Sequence, residues 1–536
     1  MVLLFLTLPA YYYLLKPGLP NTQDGEYYLI RIAALHRTLR DFQIPPRFDG
    51  YLNHTYGYPV LNFLYPLFYY LGEIFYLSKF SLVLSTKACL ILSFLFSAFF
   101  MYLFCQEFFT KIPSLFASML YTYFPYRFTD VYIRGSFGEA LTFVFVPLVF
   151  WATIRLLKTN DKKYLALGSL SIASLIMSHN VMALLFIPII FVFILLWSYQ
   201  QRQKRHSPLE LKNLIALLFL SLGLSCFFWL PAVYEIKYTI FSQTRVSTFF
   251  DYFPKTAHLF WPFLKNLPPA PGFEDASILW LGPLLVPILL ISLLIIKKRK
   301  DILALSLVCI IFFCLFLMNP ASTFLWKIKS IHQLVQFPWR LLSMICFVSA
   351  FLGGYTMSII KNKKTQIILF LILTILLIIT NKNNLKPKNY LFRDDNFYFT
   401  NDSTTVTQNE YLPKWVKNPP TQAPPHKIET NAHYQIINQK SNFLEFTTLS
   451  QTPESITVNT VYYPGWNLTI NNQKAPINYL ENGLIKFQIP QGKAKIVLKF
   501  SETPLRYFSD IITIIAALFL IPLMFLPTSK EKINER

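Results

Sequence analysis

The sequence predicts a polytopic α-helical membrane protein of about 12 transmembrane helices with a C-terminal extracytoplasmic domain resembling a β-sandwich. Three observations support that class. Long apolar stretches alternate with short basic clusters at Lys158–Lys163, Gln201–Lys212, Lys297–Lys300, Lys361–Lys364 and Ser529–Arg536. The chain is 54% hydrophobic and 14% charged, with a mean hydropathy of +0.41, whereas a soluble domain carries about 25% charged residues. Between Lys382 and Tyr507 the sequence turns polar and Pro-rich, then alternates.

Crossing a bilayer as a helix takes about 20 apolar residues. Candidate segments are 1–16, 87–105, 113–126, 139–157, 163–178, 180–199, 212–232, 277–296, 301–318, 340–360, 364–381 and 509–528. Met1–Leu15 has the apolar run of a signal peptide without a small-residue cleavage site, and reads as an uncleaved first helix. Short loops rich in Lys and Arg stay on the cytoplasmic side. With all five clusters inside, 139–157 runs inward, 127–138 lies outside and 87–105 begins outside. The Tyr- and Phe-rich stretch 57–78, interrupted by Pro59 and Pro66, then cannot cross. It is expected along the outer face, as aromatic amphipathic segments lie. The expectation is twelve crossings, with both termini cytoplasmic.

The transmembrane domain is read as 1–381, with a first outer loop (17–86) and another at 233–276. An outer β-rich domain follows at 382–508, and the last helix with its basic tail at 509–536. Ser455–Val458, Trp466–Ile470, Ile485–Ile489 and Ala494–Phe500 read as strands, with NNQ, ENG and PQG as turns. The net charge of +22 lies largely in the cytoplasmic loops and tail, which points to an anionic inner leaflet and away from nucleic acid. The six cysteines sit in or beside apolar segments without metal-ligand spacing and read as small buried hydrophobes.

No Asp, Glu, Lys or Arg falls at the middle of a predicted crossing. Such a charge normally marks an ion path or proton relay, so a coupled transporter is disfavoured. The polar residues gather at outer ends instead: Asp24 and Glu26 after the first helix, Asp130, Arg134 and Glu139 around 127–139, His179 at a hairpin tip, Glu235 and Arg340. Each has a structural reading too. Asp24 suits a helix cap, Glu139 a helix N-terminus, Arg134 and Arg340 can snorkel to headgroups, His179 suits a polar turn and Glu235 an interface. Their shared side of the membrane favours one outward cavity.

The stretches NTQDGEYYLIRIAAL, IPPRFDGYLNHTYGYPVLNFLYPLFYYLG, PYRFTDVYIRGSFGEA, MSHN, WLPAVYE and QFPWRLL resemble the bacterial YfhO-like membrane proteins. They also resemble relatives labelled with a 6-pyruvoyl-tetrahydropterin synthase-related domain. VYYPGWNLTINNQ, PQGKAKIVLKF and TPLR resemble that group's closing domain. The pterin label has no zinc-type histidine cluster behind it here. These families in turn resemble the GT-C glycosyltransferases. That likeness implies a polyprenyl-phosphate-linked sugar donor, an outward-facing site, and a cell-envelope glycan, lipid or protein as acceptor.

By the same resemblance Asp24 matches the lead carboxylate after helix 1, while Gly25 separates it from Glu26. Glu139 matches the second acidic position, and His179 the place of a basic residue near the donor phosphate. The implied chemistry is displacement at the anomeric carbon with inversion, with one general base on the acceptor hydroxyl. Asp24 is the expected base, with Glu139 as second catalytic carboxylate. Arg134, His179 and Arg340 are expected on the leaving phosphate, with Glu26, Asp130 and Glu235 as auxiliary groups. Asp24 and Glu139 are the expected ligands should a divalent cation, Mg or Mn, take part. The rival expectation is a non-catalytic lipid or polysaccharide transporter, or an envelope-assembly scaffold.

Overall fold

The computed structural model describes residues 2–205, 211–242, 249–328, 331, 335–401 and 409–525. The basic tail 529–536 and residues 206–210 of the second basic cluster lie outside the described residues.

Every predicted apolar segment contains a helix, but fewer are long enough to cross. Leu82–Gln106, Phe137–Thr159, Asn180–Gln201, Pro338–Met357, Lys363–Thr380 and Pro504–Met524 meet the length and composition of a span. Two further pairs do so only if each bent pair counts as one: Leu211–Leu224 with Cys226–Tyr238, bent by 70°, and Ile302–Leu317 with Pro320–Trp326, bent by 87°. The expected twelve crossings thus become six to eight candidates. The other four segments hold Val2–Tyr11, Lys111–Thr122, Lys162–Ser178 and Leu285–Arg299, of 10 to 17 residues. At about 1.5 Å per residue these fall short of a hydrocarbon core about 30 Å thick. The 57–78 stretch forms only a short 3₁₀ turn and the eleven-residue helix Leu67–Leu77, too short to cross.

Local chemistry sets several boundaries. Ser81 caps Leu82–Gln106 through the Leu84 amide, and Asp161 and Asn362 cap Lys162–Ser178 and Lys363–Thr380 in the same way. The 70° break near Ser225 is satisfied from another helix. Thr513 accepts the Phe227 N–H at 2.9 Å and donates to the Gly223 carbonyl at 3.1 Å. Five of the six cysteines are buried as expected; Cys309 is exposed on the helix surface.

The outer region is a pair of antiparallel sheets. Strands β1 (Leu19–Pro20) and β2 (Tyr390–Leu391) form a separate small ribbon. The strands that follow are β3 (Ile428–Glu429), β4 (His433–Lys440), β5 (Phe443–Ser450), β6 (Glu454–Val461), β7 (Trp466–Ile470), β8 (Gln473–Ala475), β9 (Leu484–Ile489) and β10 (Gly492–Phe500). One sheet runs β4-β5-β10-β7-β8, the other β3-β6-β9. Their inward residues, among them Phe446, Ile456, Val458, Leu468, Phe487, Ile496 and Leu498, form one core. Phe48 and Phe63 from the first outer loop complete it, Phe48 lying 5.3 Å from the Phe500 ring. The NNQ, ENG and PQG turns are where expected, with Asn471, Asn472, Gly483 and Gly492 at positive φ.

Glu235 was expected near the outward cavity as an auxiliary group. The structure gives it a different role. Its carboxylate accepts from Arg506 Nε at 2.9 Å, Arg506 Nη2 at 2.8 Å, Asn62 at 2.9 Å and the Tyr463 hydroxyl at 2.8 Å. Beside it Arg47 donates to the Phe227 carbonyl at 2.7 Å and to Asp510 at 2.8 Å. These contacts fasten the first outer loop, the β-sheets and the last helix to one another. Removing one partner of a buried ion pair costs about 3–5 kcal/mol, because the other charge is left uncompensated. Glu235→Gln and Arg506→Met should each lower the melting temperature of the purified protein markedly, whereas Glu481→Gln, in an exposed pair with Lys486, should not.

Candidate functional site

Asp24 stands immediately before the helix Gly25–Arg40. Its loop docks backbone to backbone on the single π-helical turn Thr129–Arg134: the Gln23 and Asp24 amides donate to the Ile133 and Arg134 carbonyls at 3.0 and 2.8 Å. Gly135 follows at φ +73°, and a Cβ there would overlap Thr22 Oγ1 and the Gly25 nitrogen. A Cβ on Gly25 would in turn overlap Thr22 Oγ1. Gly135 therefore lets the Asp24 loop and the Arg134 turn touch, while Gly25 makes room for Thr22 of its own loop.

Behind them lies a buried charge cluster. Arg134 Nη1 donates to Asp130 at 2.6 Å, to Glu139 at 2.9 Å and to the Tyr126 oxygen at 2.9 Å. Glu139 also accepts from the hydroxyls of Tyr126 at 2.9 Å and Ser343 at 3.2 Å, and Arg340 Nε lies 3.7 Å from it. Arg340 is steadied by the Val335 carbonyl and the Gln336 side chain at 3.0 and 2.6 Å. Asp130 and Glu139 are fully buried. Burial, and then the nearby Glu139 carboxylate, push the Asp130 carboxyl well above the ordinary carboxylate range, against the pull of Arg134. Two guanidiniums thus meet the Glu139 carboxylate, Arg134 at 2.9 Å and Arg340 at 3.7 Å.

Asp24 is the carboxylate left open. Solvent reaches it, and it accepts no side-chain hydrogen bond among the described residues. Surrounding protein raises its pKa above the usual value, while Arg134, Arg31 and Arg340 pull the other way. Arg31 was not singled out in the sequence. It sits two helical turns beyond Asp24, buried, and donates to the Tyr69 hydroxyl at 3.2 Å. A lone arginine inside the apolar run YLIRIAAL was the available signal.

His179 was expected as a weak cation. It is buried and stacks on Tyr65 at 4.6 Å, and its Nδ1 takes the Met182 amide at 3.4 Å. Burial, with the Arg340 charge beside it, holds it down to about 3, so the ring is neutral and contributes no positive charge. Glu26 turns elsewhere, accepting from Tyr398 at 3.4 Å and lying 3.9 Å from Arg393. As a pair of cation ligands, Asp24 and Glu139 fit poorly: both Glu139 oxygens are taken by arginine and hydroxyl donors, and no group of three metal-ligating side chains occurs among the described residues.

Fold and site define a multi-pass helical membrane protein with a buried, arginine-rich cluster beneath an open carboxylate and a β-sheet region toward its C-terminus. A family model described as "6-pyruvoyl-tetrahydropterin synthase related domain; membrane protein" matches residues 61–385, and the chain belongs to that family. The model for "Bacterial membrane protein YfhO" matches residues 420–513. An uncharacterized protein of Lactococcus lactis subsp. cremoris (strain MG1363) is 25% identical over 254 residues, 46% of this chain and 41% of that protein. Among solved structures, the apo oligosaccharyltransferase of Archaeoglobus fulgidus is 14% identical with a TM-score of 0.47, over 78% of this chain and 61% of that one. The arabinofuranosyltransferase AftD from Mycobacteria is 15% identical with a TM-score of 0.43, over 72% and 26%. The chain therefore spans less than two thirds of each of these proteins.

The two carboxylates should respond differently to amidation. Glu139→Gln leaves two buried guanidiniums without their counter-charge and should destabilise the fold by about 3–5 kcal/mol. Asp24→Asn removes no hydrogen bond and keeps a good capping residue, so thermal unfolding should shift by less than about 1 kcal/mol. Equal losses would show that Asp24 is a structural member of the cluster.

Proposed function

We propose that the chain is an inverting glycosyltransferase of the GT-C kind, moving a sugar from a polyprenyl-phosphate donor to an extracytoplasmic acceptor. The observation that supports this best is the Asp24 carboxylate, without a side-chain hydrogen bond among the described residues and under the charges of Arg134, Arg31 and Arg340. A base next to anion-stabilising donors is what displacement at an anomeric carbon requires.

In this reading Asp24 takes the proton of the acceptor hydroxyl as its oxygen attacks the anomeric carbon. The bond from that carbon to the phosphate oxygen breaks, the configuration inverts, and the lipid phosphate departs with the electron pair. Arg134 and Arg340 receive the growing charge. Asp130, Glu139 and Tyr126 position Arg134, and His179 acts through its neutral ring. No step runs through a metal. The membrane arrangement proposed with it has twelve passes, the shorter helices included, with the site on the outer side.

Asp24→Asn should abolish sugar transfer, a lost general base costing about 10²–10⁴-fold. The base works deprotonated, and its pKa is raised, so activity should fall on acidification at a pH above the ordinary aspartate value. Arg31→Met removes a charge that lowers this pKa and should move the acid limb to higher pH; an unmoved limb would take Asp24 out of the role.

Arg134→Lys and Arg340→Lys keep the charge and lose the planar fork. Each should weaken binding of a polyprenyl phosphate by about 1–3 kcal/mol. Unchanged affinity in both would mean that the arginines do not hold the donor.

A further inference from the structure

One aromatic cluster borders this site without belonging to it. Trp339 directly precedes Arg340, and the Phe337 ring lies 5.2 Å from the Arg340 guanidinium. Phe337 and Trp339 stack in parallel at 4.8 Å. Tyr252 meets both edge-on, at 5.0 and 5.2 Å, and Phe273 lies 5.2 Å from Trp339. Tyr252, Phe273 and Phe337 are only half-buried, so the cluster keeps a solvent-facing side. Three separate outer segments supply these four rings.

Two further features distinguish the cluster from an ordinary apolar cap. The Trp339 Nε1–H is buried and has no acceptor among the described residues. A buried donor of that kind normally finds a partner. Gly272, at φ +82°, lies against the rings, where a Cβ would press on Trp339. Its carbonyl accepts from Gln23 at 3.1 Å, and Gln23 is the residue before Asp24. The cluster therefore adjoins a guanidinium of the proposed phosphate site and is tied to the loop that carries the proposed base.

We infer that Tyr252, Phe273, Phe337 and Trp339 form the subsite for the sugar ring of the donor. A sugar joined to a phosphate held by Arg340 must lie within one bond of that phosphate, beside these rings. Its C–H face suits the aromatic surface, and one of its hydroxyls supplies the acceptor that Trp339 Nε1 lacks. The inference rests on the reading of Arg134 and Arg340 as a phosphate site.

The test compares two probes on the purified full chain: a bare polyprenyl phosphate, and the same lipid phosphate bearing each of a panel of hexoses and pentoses. Wild type should bind at least one glycosylated form about tenfold more tightly than the bare lipid. Tyr252→Ala and Phe273→Ala, at half-exposed positions, should erase that preference while leaving the bare lipid's affinity unchanged. Trp339→Phe keeps the ring, loses the N–H, and should reduce the preference. Variants that retain the wild-type preference overturn the subsite. So does a wild type that binds bare and glycosylated lipid equally, and in that case the phosphate reading survives. A wild type that binds neither probe overturns the phosphate reading, and the subsite with it.

Discussion

Arg134 is held between Asp130 and Glu139, and the arrangement of the candidate site follows from that. A guanidinium out of water must be compensated on several of its donors at once. Here one nitrogen meets two carboxylates and a tyrosine within 2.9 Å. Burial and the neighbouring Glu139 carboxylate raise the Asp130 pKa, and Arg134 opposes that rise. Arg340 reaches the same carboxylate from a helix far away in the chain. The pair of arginines is thus fixed by groups other than Asp24.

The second constraint is the clamp around Glu235 and Arg506. It converts a β-sheet unit, a first outer loop and a closing helix into one body. The sheets' core is not self-sufficient, since Phe48 and Phe63 from the first loop fill part of it. The Asp24 loop continues into the helix Gly25–Arg40, which leads to that same Phe48. Mechanical continuity therefore runs from the β-sheets to the candidate base through about two turns of irregular chain beyond the helix.

Much of this was legible in the sequence because it is local or compositional. The apolar segments announced their helices, and β6, β7, β9 and β10 showed themselves by alternation. β4 was missed because it is exposed along nearly its whole length, and β5 because Thr448 and Ser450 point inward among apolar neighbours. Asp130, Arg134 and Glu139 lie within ten residues, so their meeting was foreseeable. Glu235 was assigned to the wrong place because its partner, Arg506, lies 271 residues away. The charge state of His179 depends on burial and on Arg340, neither of which is visible in MSHN. The number of helices long enough to cross was not legible, since apolar composition does not say how much of a segment stays helical.

The contact between Gly25 and Gly135 extends beyond this molecule. Because the two loops meet through main chain, the spacing of Asp24 from the Arg134 turn is set by the absence of a side chain at Gly135. An aspartate in this loop can persist in a relative as a simple helix cap, whereas a residue with a Cβ at the position of Gly135 forces the loops apart. In an unfamiliar sequence with this layout, the RG dipeptide is a better sign that the two loops meet than the carboxylate alone.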